Sequence, residues 1–226
     1  MKLIFRGKTK DVYENNDGTY TLKLKDDATG KDGVFDPGQN AVGLSIEGLG
    51  RESLKLSAYY FELLKAEGIP SHYISSNISE ATMDVLPVKM FGQGIEFVCR
   101  RKADGGFLRR YSTYASFGKD LNYLVEITLK DDERQDPPIT KDTLVALGIM
   151  TAEEFDICKE LTQKITKIMA RDLESKGLDL VDIKYEFGKN EGKIILADEI
   201  SAGCMRVYKD GRIVPPMALG KLVLEG

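Results

Sequence analysis

The amino-acid sequence predicts an α+β protein with antiparallel sheets, flanking helices and two lobes that enclose a cleft. Short strand candidates joined by tight turns open the chain, one long amphipathic helix follows in the second half, and two charged strand candidates come directly after it. Tight turns connect antiparallel neighbours, whereas parallel strands require long crossovers. We expect an N-terminal lobe over residues 1–91 with a phosphate-binding hairpin, and a C-terminal lobe over residues 92–226 with a metal and substrate site.

The N-terminal elements are predicted from turn residues and hydrophobic periodicity. The segment NNDG at residues 15–18 is typical of a hairpin turn, because Asn, Asp and Gly tolerate positive φ, and the TYTLKLK that follows alternates as a half-buried strand does. Residues 27–50 are rich in Gly, Asp and Asn, and we expect them to form a loop. Residues 51–68 have apolar side chains at helical spacing and end in a glycine, which predicts a helix.

The second half contains the clearest helix pattern of the sequence, over residues 151–177. Thr151 and Glu154 form a capping box at its start, an apolar stripe runs along one face, and Gly177 ends it. The segments LVDIKYEFG and GKIILADEI then indicate two strands joined by a short turn. We expect the tail, residues 205–226, to be short and irregular.

Composition excludes several classes of protein. The 32 basic and 36 acidic residues give a net charge of −4, which argues against a dedicated nucleic-acid-binding protein. The three cysteines form no CxxC pair, so neither a zinc site nor a disulfide framework is indicated, and we expect reduced thiols in the cytoplasm. The sequence has no apolar run long enough for a transmembrane helix and no signal peptide. His72 is the only histidine, and its apolar neighbours favour a structural role.

A basic loop lies between the first two strand candidates, in the segment Arg6-Gly7-Lys8-Thr9-Lys10. A glycine lets the backbone approach a phosphate group, and lysines supply point charges to its oxygens. The spacing is not that of a Walker A loop. Taken alone, the segment is better interpreted as an exposed basic hairpin.

A charged face is predicted on the strand LVDIKYEFG. Asp182, Lys184 and Glu186 point the same way because alternate residues of a strand share a face, and Asp198 and Glu199 on the next strand can approach them. Converging carboxylates beside a lysine suit a magnesium–nucleotide site. A solvated hairpin face fits the spacing equally well. The apolar residues between the charges favour a buried sheet, where unpaired carboxylates would be costly.

A group of basic residues surrounds Gly105-Gly106. Its members are Arg100, Arg101, Lys102, Arg109 and Arg110, and Arg206 could join them. A guanidinium binds phosphate or carboxylate oxygens in bidentate fashion, although a basic surface loop is the commoner explanation. The charged segment from Lys130 to Asp132, with Asp136 before a proline, is interpreted as a solvated turn.

Several of these segments together resemble one family, the phosphoribosylaminoimidazole-succinocarboxamide synthases, or SAICAR synthetases, of de novo purine biosynthesis. The matching pieces, in the family's order, are RGKTKDVY, KDDATG, LLKAEGIPSHYI, EFVCRR, LKDDERQDPPI, LVDIKYEFG and ILADEIS. The resemblance runs from residue 6 to about residue 206 and so covers nearly the whole chain. The last two pieces, at their separation, are its most specific part.

The resemblance implies a fold and a reaction. The fold is a two-lobed α+β structure related to ATP-grasp and kinase nucleotide clefts. The enzyme is an ATP-dependent carbon–nitrogen ligase that uses Mg²⁺ and joins L-aspartate to carboxyaminoimidazole ribonucleotide through an acyl phosphate. The implied partners are small molecules, not nucleic acid or a membrane, and a homodimer is left open.

The resemblance also implies roles for individual residues. Those expected to contact ATP are Lys8 and Lys10 at the phosphates, Lys89 and Met90 beside the adenine, and Glu96. Those expected to bind the metal are Glu186 and Asp198. Those expected near the reacting carboxylate are Asp182 and Lys184, and those expected to hold the substrate anions are Arg100, Arg206 and Ser201.

The chain departs from the family mainly on the side of the acceptor. The family usually has an arginine–asparagine pair followed by Ala-Gly-Ser, and this chain has Arg100-Arg101 followed by Asp104-Gly105-Gly106 at that place. Where the family has Ser-Pro-Asp, this chain has Ser201-Ala202-Gly203. A Lys-Gly-x-x-Asn-Asn stretch is absent, and the C-terminal helix is missing or truncated. An amide ligase with another carboxylate or amine is therefore an alternative hypothesis. A non-catalytic nucleotide-binding module is a third, against which the retained charged residues argue.

Overall fold

The structure is a computed structural model that describes residues 1–37 and 41–225. The strands are β1 (Lys2–Arg6), β2 (Lys10–Glu14), β3 (Tyr20–Leu24), β4 (Asp27–Lys31), β5 (Val34–Phe35), β6 (Val42–Ser45), β7 (Tyr73–Asn77), β8 (Thr82–Val85), β9 (Lys89–Met90), β10 (Ile95–Lys102), β11 (Asp120–Leu129), β12 (Asp179–Asn190), β13 (Lys193–Ala197), β14 (Met205–Lys209) and β15 (Arg212–Ile213). The helices are α1 (Leu49–Ala66), α2 (Gly105–Tyr111), α3 (Lys141–Ala146), α4 (Ala152–Ser175) and α5 (Pro216–Leu224).

The first sheet has five strands in the order β1-β2-β3-β8-β7, and every neighbouring pair is antiparallel. The predicted turn at residues 15–18 joins β2 to β3, with Gly18 at φ 85° and the Asn15 side chain donating to Thr19 and Thr21. Leu22 is buried and Lys23 is exposed, as the alternating pattern predicts. The antiparallel start of the chain is confirmed.

The prediction of a loop at residues 27–50 is wrong over much of its length. Strands β5, β4 and β6 form a separate three-stranded antiparallel sheet, and Asp26 anchors the next helix by accepting hydrogen bonds from the backbone N–H groups of Gly48 (3.0 Å) and Gly50 (2.9 Å). The weak strand propensity of Gly and Asp is overridden here by pairing between strands. Residues 38–40 of the predicted loop lie outside the described residues.

Helix α1 confirms the helix predicted near residues 51–68. Its apolar stripe buries Leu54, Tyr60 and Phe61 completely. Ser57 on the same face donates to the carbonyl of Ile200 and accepts from its N–H, both at 3.0 Å. The helix therefore holds the segment that follows β13, where two of the predicted site residues lie.

The second sheet has seven strands, and β12 is its centre. The order is β11-β10-β12-β14-β15, with β13 and β9 also paired to β12. The antiparallel register places Glu96 opposite Glu186, and Asp182 opposite both Arg100 and Arg206. Charged residues from three distant parts of the sequence thus become direct cross-strand neighbours.

Helix α4 packs against one face of this sheet. The predicted capping box is present, with Glu154 N–H donating to Thr151 Oγ1 at 3.1 Å and Thr151 N–H donating to Glu154 Oε2 at 2.8 Å. Ile165 and Met169 are fully buried against the sheet, and burial of each such side chain contributes about 1.5–3 kcal/mol. With its apolar face covered by α4, the sheet leaves the charged face for ligands.

The irregular tail predicted after residue 204 is also a wrong prediction. Strands β14 and β15 extend the second sheet, and α5 begins with Pro216 in its first turn and packs on α1. The helix has nine residues, so the truncated C-terminal helix of the sequence analysis is present in a short form. The two strands are too short, and α5 contains a glycine, so neither the strands nor the helix shows a clear hydrophobic periodicity in the sequence.

The two large sheets divide the chain near the predicted boundary. The five-stranded sheet uses residues 2–85, and the seven-stranded sheet uses residues after 94 except for β9. One hydrophobic core runs through both parts, so the division at residue 91 stays a prediction. In residues 1–37 and 41–225, no helix has the length and apolar character needed to cross a membrane.

Candidate functional site

A cavity of about 400 Å³, here called the lysine cavity, lies between the basic hairpin of residues 6–10 and the charged face of the second sheet. Its charged lining residues include Arg6, Lys8, Lys10, Lys25, Glu96, Lys130, Lys184, Asp198 and Glu199. Apolar surface comes from Phe5, Val12, Leu24 and Phe35. Ammonium groups and apolar side chains in one concave site suit a ligand with a phosphate chain and a flat ring.

The basic hairpin is tight because of Gly7. The Gly7 N–H donates to the Lys10 carbonyl at 2.9 Å, and Lys25 Nζ donates to the Gly7 carbonyl at 3.0 Å. A Cβ atom at residue 7 would lie 2.6 Å from the Lys10 carbonyl oxygen, so only glycine fits. The turn brings Lys8 and Lys10 to the same cavity, where the family resemblance implies that they contact phosphates.

Lys10 joins the basic hairpin to the segment after β13. Its ammonium forms ion pairs with both Asp198 and Glu199. Burial by itself would lower the pKa of Lys10, but the two carboxylates raise it above its usual value. Burial opposes ionisation of Asp198, yet Lys10 and Lys130 bring its pKa well below its usual value. Both groups are therefore charged at neutral pH.

Lys184 lies between two glutamates, Glu96 and Glu186. Its Nζ is 2.8 Å from Glu96 Oε1 and 3.9 Å from Glu186 Oε1, and Lys130 Nζ is 2.8 Å from the same oxygen of Glu186. Burial would lower the pKa of Lys184, but Glu96 and Glu186 raise it well above its usual value. Burial and the charge of Asp198 raise the pKa of Glu186. The two predicted metal-binding acids thus lie close enough to repel each other.

The donor set fits a magnesium ion held together with a nucleotide. Within the described part of the chain, no group of three or more His, Cys, Asp or Glu side chains is arranged to hold a metal ion. Mg²⁺ in nucleotide sites, however, takes one or two protein carboxylates and completes its coordination with phosphate oxygens and water. Asp198 lines the lysine cavity and pairs with Lys10. Glu186 does not line that cavity, and it pairs with Lys130 while Lys184 Nζ lies 3.9 Å away. Two carboxylates beside lysines match that mode of binding.

A second cavity of about 180 Å³, here called the arginine cavity, adjoins the first. Arg100 Nη1 is 2.8 Å from Asp182 Oδ2, and Arg206 Nη1 is 3.1 and 2.9 Å from the two oxygens of Asp182. Arg100 also donates from Nε to Glu126, which accepts from Arg110 as well. Burial raises the pKa of Asp182 although both guanidiniums lower it. The row of charges lies across three adjacent strands.

Two glycines at the start of α2 lie beside arginines of the arginine cavity, and Gly106 lines the cavity itself. A Cβ atom at Gly105, which has φ 47°, would lie 2.5 Å from the guanidinium carbon of Arg206. A Cβ atom at Gly106 would lie 3.3 Å from a nitrogen of Arg110 and 3.4 Å from one of Arg109. Gly105 therefore permits the close approach of Arg206, and Gly106 leaves space among guanidiniums where the family has a serine.

The two cavities are parts of one site. Six residues line both of them: Thr29, Glu96, Asp136, Lys184, Gly203 and Cys204. A ligand in the lysine cavity and a ligand in the arginine cavity would therefore meet beside Lys184.

Most of the predicted site residues come together here. Those at the lysine cavity are Lys8, Lys10, Glu96, Lys184, Asp198 and Ser201, and those at the arginine cavity are Arg100, Asp182 and Arg206. Ser201 Oγ already accepts a hydrogen bond from Gly203 N–H at 3.2 Å. Lys89 and Met90 form β9 at the far end of β12, and neither lines the lysine cavity.

His72 has the structural role that the sequence analysis favours. It is buried, and its Nε2 lies 2.9 Å from the Asp198 carbonyl oxygen. Burial lowers the pKa of His72 to about 4, so the ring is neutral at physiological pH.

Sequence reasoning missed several residues of the site. Lys130 and Asp136 line the lysine cavity, although their segment is predicted to be a solvated turn. Glu126 on β11 and Asp36 after β5 contact the arginines, and Asp36 has no sequence signal of its own. The expected basic loop after Lys102 is in fact helix α2. An acid on the strand that pairs with Arg100 was the one available clue to Glu126.

Comparisons with known proteins agree with this geometry. A sequence profile described as SAICAR synthetase matches residues 3–216. The chain is 55% identical over 227 residues to the phosphoribosylaminoimidazole-succinocarboxamide synthase of Clostridium tetani, covering 100% of both chains. A solved SAICAR synthetase (Type-2) in complex with ADP has a TM-score of 0.86 and 28% identity, covering 98% of this chain and 97% of that one.

A second solved structure, the Type-1 crystal structure of SAICAR synthetase from Pyrococcus horikoshii, has a TM-score of 0.79 and 30% identity, covering 90% of this chain and 86% of that one. Profile, full-length relative and fold all point to the same family, and the resemblance stated from the motifs is confirmed. The chain belongs to the SAICAR synthetase family.

Proposed function

We propose that the chain is an ATP-dependent carbon–nitrogen ligase that joins L-aspartate to carboxyaminoimidazole ribonucleotide in de novo purine biosynthesis. The observation that carries the proposal is the continuity of the two cavities beside Lys184. Such a ligase must bring a γ-phosphate and a substrate carboxylate together while it holds the anion of the ribonucleotide. One site lined by lysines on one side and by arginines on the other meets that requirement.

ATP is assigned to the lysine cavity. Lys8 and Lys10 would contact the phosphates together with the backbone of the basic hairpin, and Glu96 would contact the nucleotide. The relative solved with ADP supports the use of ATP. Lys89 and Met90 remain our prediction for the segment beside the adenine.

Glu186 and Asp198 would hold Mg²⁺, which when bound neutralises crowded phosphate oxygens. Removal of either carboxylate would also take an ion-pair partner from a lysine, because Lys10 pairs with Asp198 as well as Glu199, and Lys130 pairs with Glu186. The acids therefore also keep the lysines in place when no nucleotide is bound.

The reaction requires activation of a carboxylate, because oxide is a poor leaving group. An oxygen of the ribonucleotide carboxylate attacks the γ-phosphorus, the bond to the β-phosphate oxygen breaks, and ADP leaves. The aspartate amine then attacks the acyl phosphate carbon, phosphate leaves, and the nitrogen loses a proton. Lys184, at the junction of the cavities, stabilises the negative charge that gathers on the transferring group.

The acceptor is assigned to the arginine cavity. Arg100 and Arg206 would bind the anions of the ribonucleotide or of aspartate, with Asp182 keeping both guanidiniums in place and Ser201 nearby. We propose the cytoplasm as the compartment, which suits the three free, buried cysteines.

The test is the release of phosphate from ATP by the purified chain. We expect release when carboxyaminoimidazole ribonucleotide and aspartate are both present, and little when either is omitted. Replacement of aspartate by other amino acids, and of the ribonucleotide by other carboxylates, tests the alternative of a ligase with a different substrate. Turnover only with another pair, or nucleotide binding without any turnover, would contradict the proposal.

A further inference from the structure

One acidic partner of the arginine cavity comes from the three-stranded sheet. Asp36 follows β5 directly, and its Oδ1 is 2.8 Å from Arg206 Nη2 while its Oδ2 is 3.9 Å from Arg109 Nη1. Burial would lower the pKa of Arg206, but the carboxylates of Asp182 and Asp36 raise it. A single guanidinium is thus shared between two carboxylates.

Each guanidinium of this cluster has a carboxylate partner when no ligand is bound. The guanidiniums are those of Arg100, Arg109, Arg110 and Arg206, and the carboxylates that pair with them are those of Asp36, Glu126 and Asp182. A phosphoryl dianion that enters this partly buried cluster must compete with those carboxylates, and the added negative charge is unfavourable at low dielectric. Binding is favoured if one carboxylate leaves its guanidinium.

Three of the four carboxylates near these arginines are held in place by their surroundings. The side chain of Asp182 is 3% exposed and that of Glu126 is 15% exposed, and both lie on paired strands. Asp104 accepts from Gly105 N–H at 2.7 Å and from the Tyr208 hydroxyl at 2.9 Å. The side chain of Asp36 is 28% exposed, and Asp36 follows a strand of the three-stranded sheet. Of the three carboxylates that form ion pairs with these arginines, Asp36 is the most exposed, so it is the one that an incoming anion reaches first.

We propose that Asp36 is an internal competitor of the substrate anion: it occupies the guanidiniums of Arg206 and Arg109 until a phosphoryl dianion displaces it. The proposal rests on the proposed function, in which these arginines bind the ribonucleotide. A carboxylate tethered beside its partner acts at a high effective concentration, so it lowers the apparent affinity for any free anion. The contact keeps the site closed to weak anions and sets the affinity for the substrate.

The test compares the wild-type chain with Asp36→Asn, using ribose 5-phosphate as the probe in calorimetry. We expect Asp36→Asn to bind ribose 5-phosphate about tenfold more tightly, because a charge-assisted bond no longer has to be broken. Its affinity should also fall more steeply with added sodium chloride, since chloride can reach the freed guanidiniums. Asp210→Asn, in the exposed turn after β14, is the matched control and should behave like wild type.

The opposite result would overturn the inference. If Asp36 merely positions Arg206, Asp36→Asn weakens ribose 5-phosphate binding, and an unchanged affinity would contradict competition equally well. Asp36→Ala serves as a second variant, and thermal melting of each variant confirms folding. If the wild-type chain ligates its substrates but Asp36→Asn binds no more tightly, only this inference fails. If no form of the chain binds ribose 5-phosphate or turns over, the proposed function fails first.

Discussion

The lysine cavity and the arginine cavity share Lys184 but are assembled in different ways. Several charges of the lysine cavity come from the basic hairpin, from the residue after β11 and from the segment after β13, and these meet the strand residues Glu96 and Lys184 only when the segments dock. The row of Arg100, Asp182 and Arg206 is instead set by the register of three neighbouring strands. Strand pairing positions Arg100 and Arg206, whereas tertiary packing positions Lys8, Lys10 and Lys130.

The two groups also differ in chemistry. An ammonium is a compact point charge on a flexible stem, which suits a phosphate chain that changes during the reaction. A guanidinium is a planar fork that binds one anion in a defined orientation. The rigid arginine row therefore suits a substrate that must be held still, and the lysines suit the group that is transferred. Four substitutions test this comparison.

Asp198→Asn should have the largest effect, because it removes one of the two carboxylate partners of Lys10 and a proposed metal ligand. We expect turnover to fall by about a thousandfold or more, as for loss of a main electrostatic stabiliser. The fold should persist, since asparagine tolerates the positive φ of 66° at this position. ADP release and thermal melting are the measurements, with Asp210→Asn (φ 50°) as the control. Wild-type turnover in Asp198→Asn would show that the metal assignment is wrong.

Lys8→Ala should weaken ligand binding in the lysine cavity and leave binding in the arginine cavity unchanged. We expect about tenfold weaker ATP binding from the loss of one charge-assisted contact, and unchanged binding of ribose 5-phosphate in the arginine cavity. Calorimetry with each ligand measures the two effects, and Lys2→Ala on the exposed start of β1 is the control. Equal loss of both affinities would mean that the two cavities are not separable.

The smallest effects should come from the two glycines of the arginine cavity, and they should be unequal. In Gly105→Ala, the new Cβ would lie 2.5 Å from the Arg206 guanidinium, and the alanine would have to adopt φ 47°. We therefore expect a loss of about 1–3 kcal/mol in unfolding free energy. Alanine at Gly106 meets only the flexible ends of Arg109 and Arg110, and should change the unfolding free energy by about 0.5 kcal/mol or less. Thermal and urea unfolding measure both, and equal losses would contradict a fixed Arg206.

Sequence patterns predicted the parts of the fold that have strong local signals. The capping box at Thr151, the turn at residues 15–18 and the alternating charges of β12 are all present. The three-stranded sheet and the tail were missed, because short strands with Gly and Asp have little propensity and form only when a partner strand is in place. The prediction of a solvated turn at Lys130 is wrong because the sequence around Lys130 does not indicate its ion pair with the buried Glu186.

Local patterns in the sequence identify an α+β chain with a charged central strand and the motifs of SAICAR synthetases, because periodicity, turn residues and motif spacing are properties of short segments. The pairing of the charges depends on the folded arrangement of distant segments. Lys10 meets Asp198 across most of the chain, and Asp36 reaches Arg206 from another sheet. Such pairs depend on how separate elements dock, and the spacing of residues along the sequence does not predict the distance between their side chains in the fold.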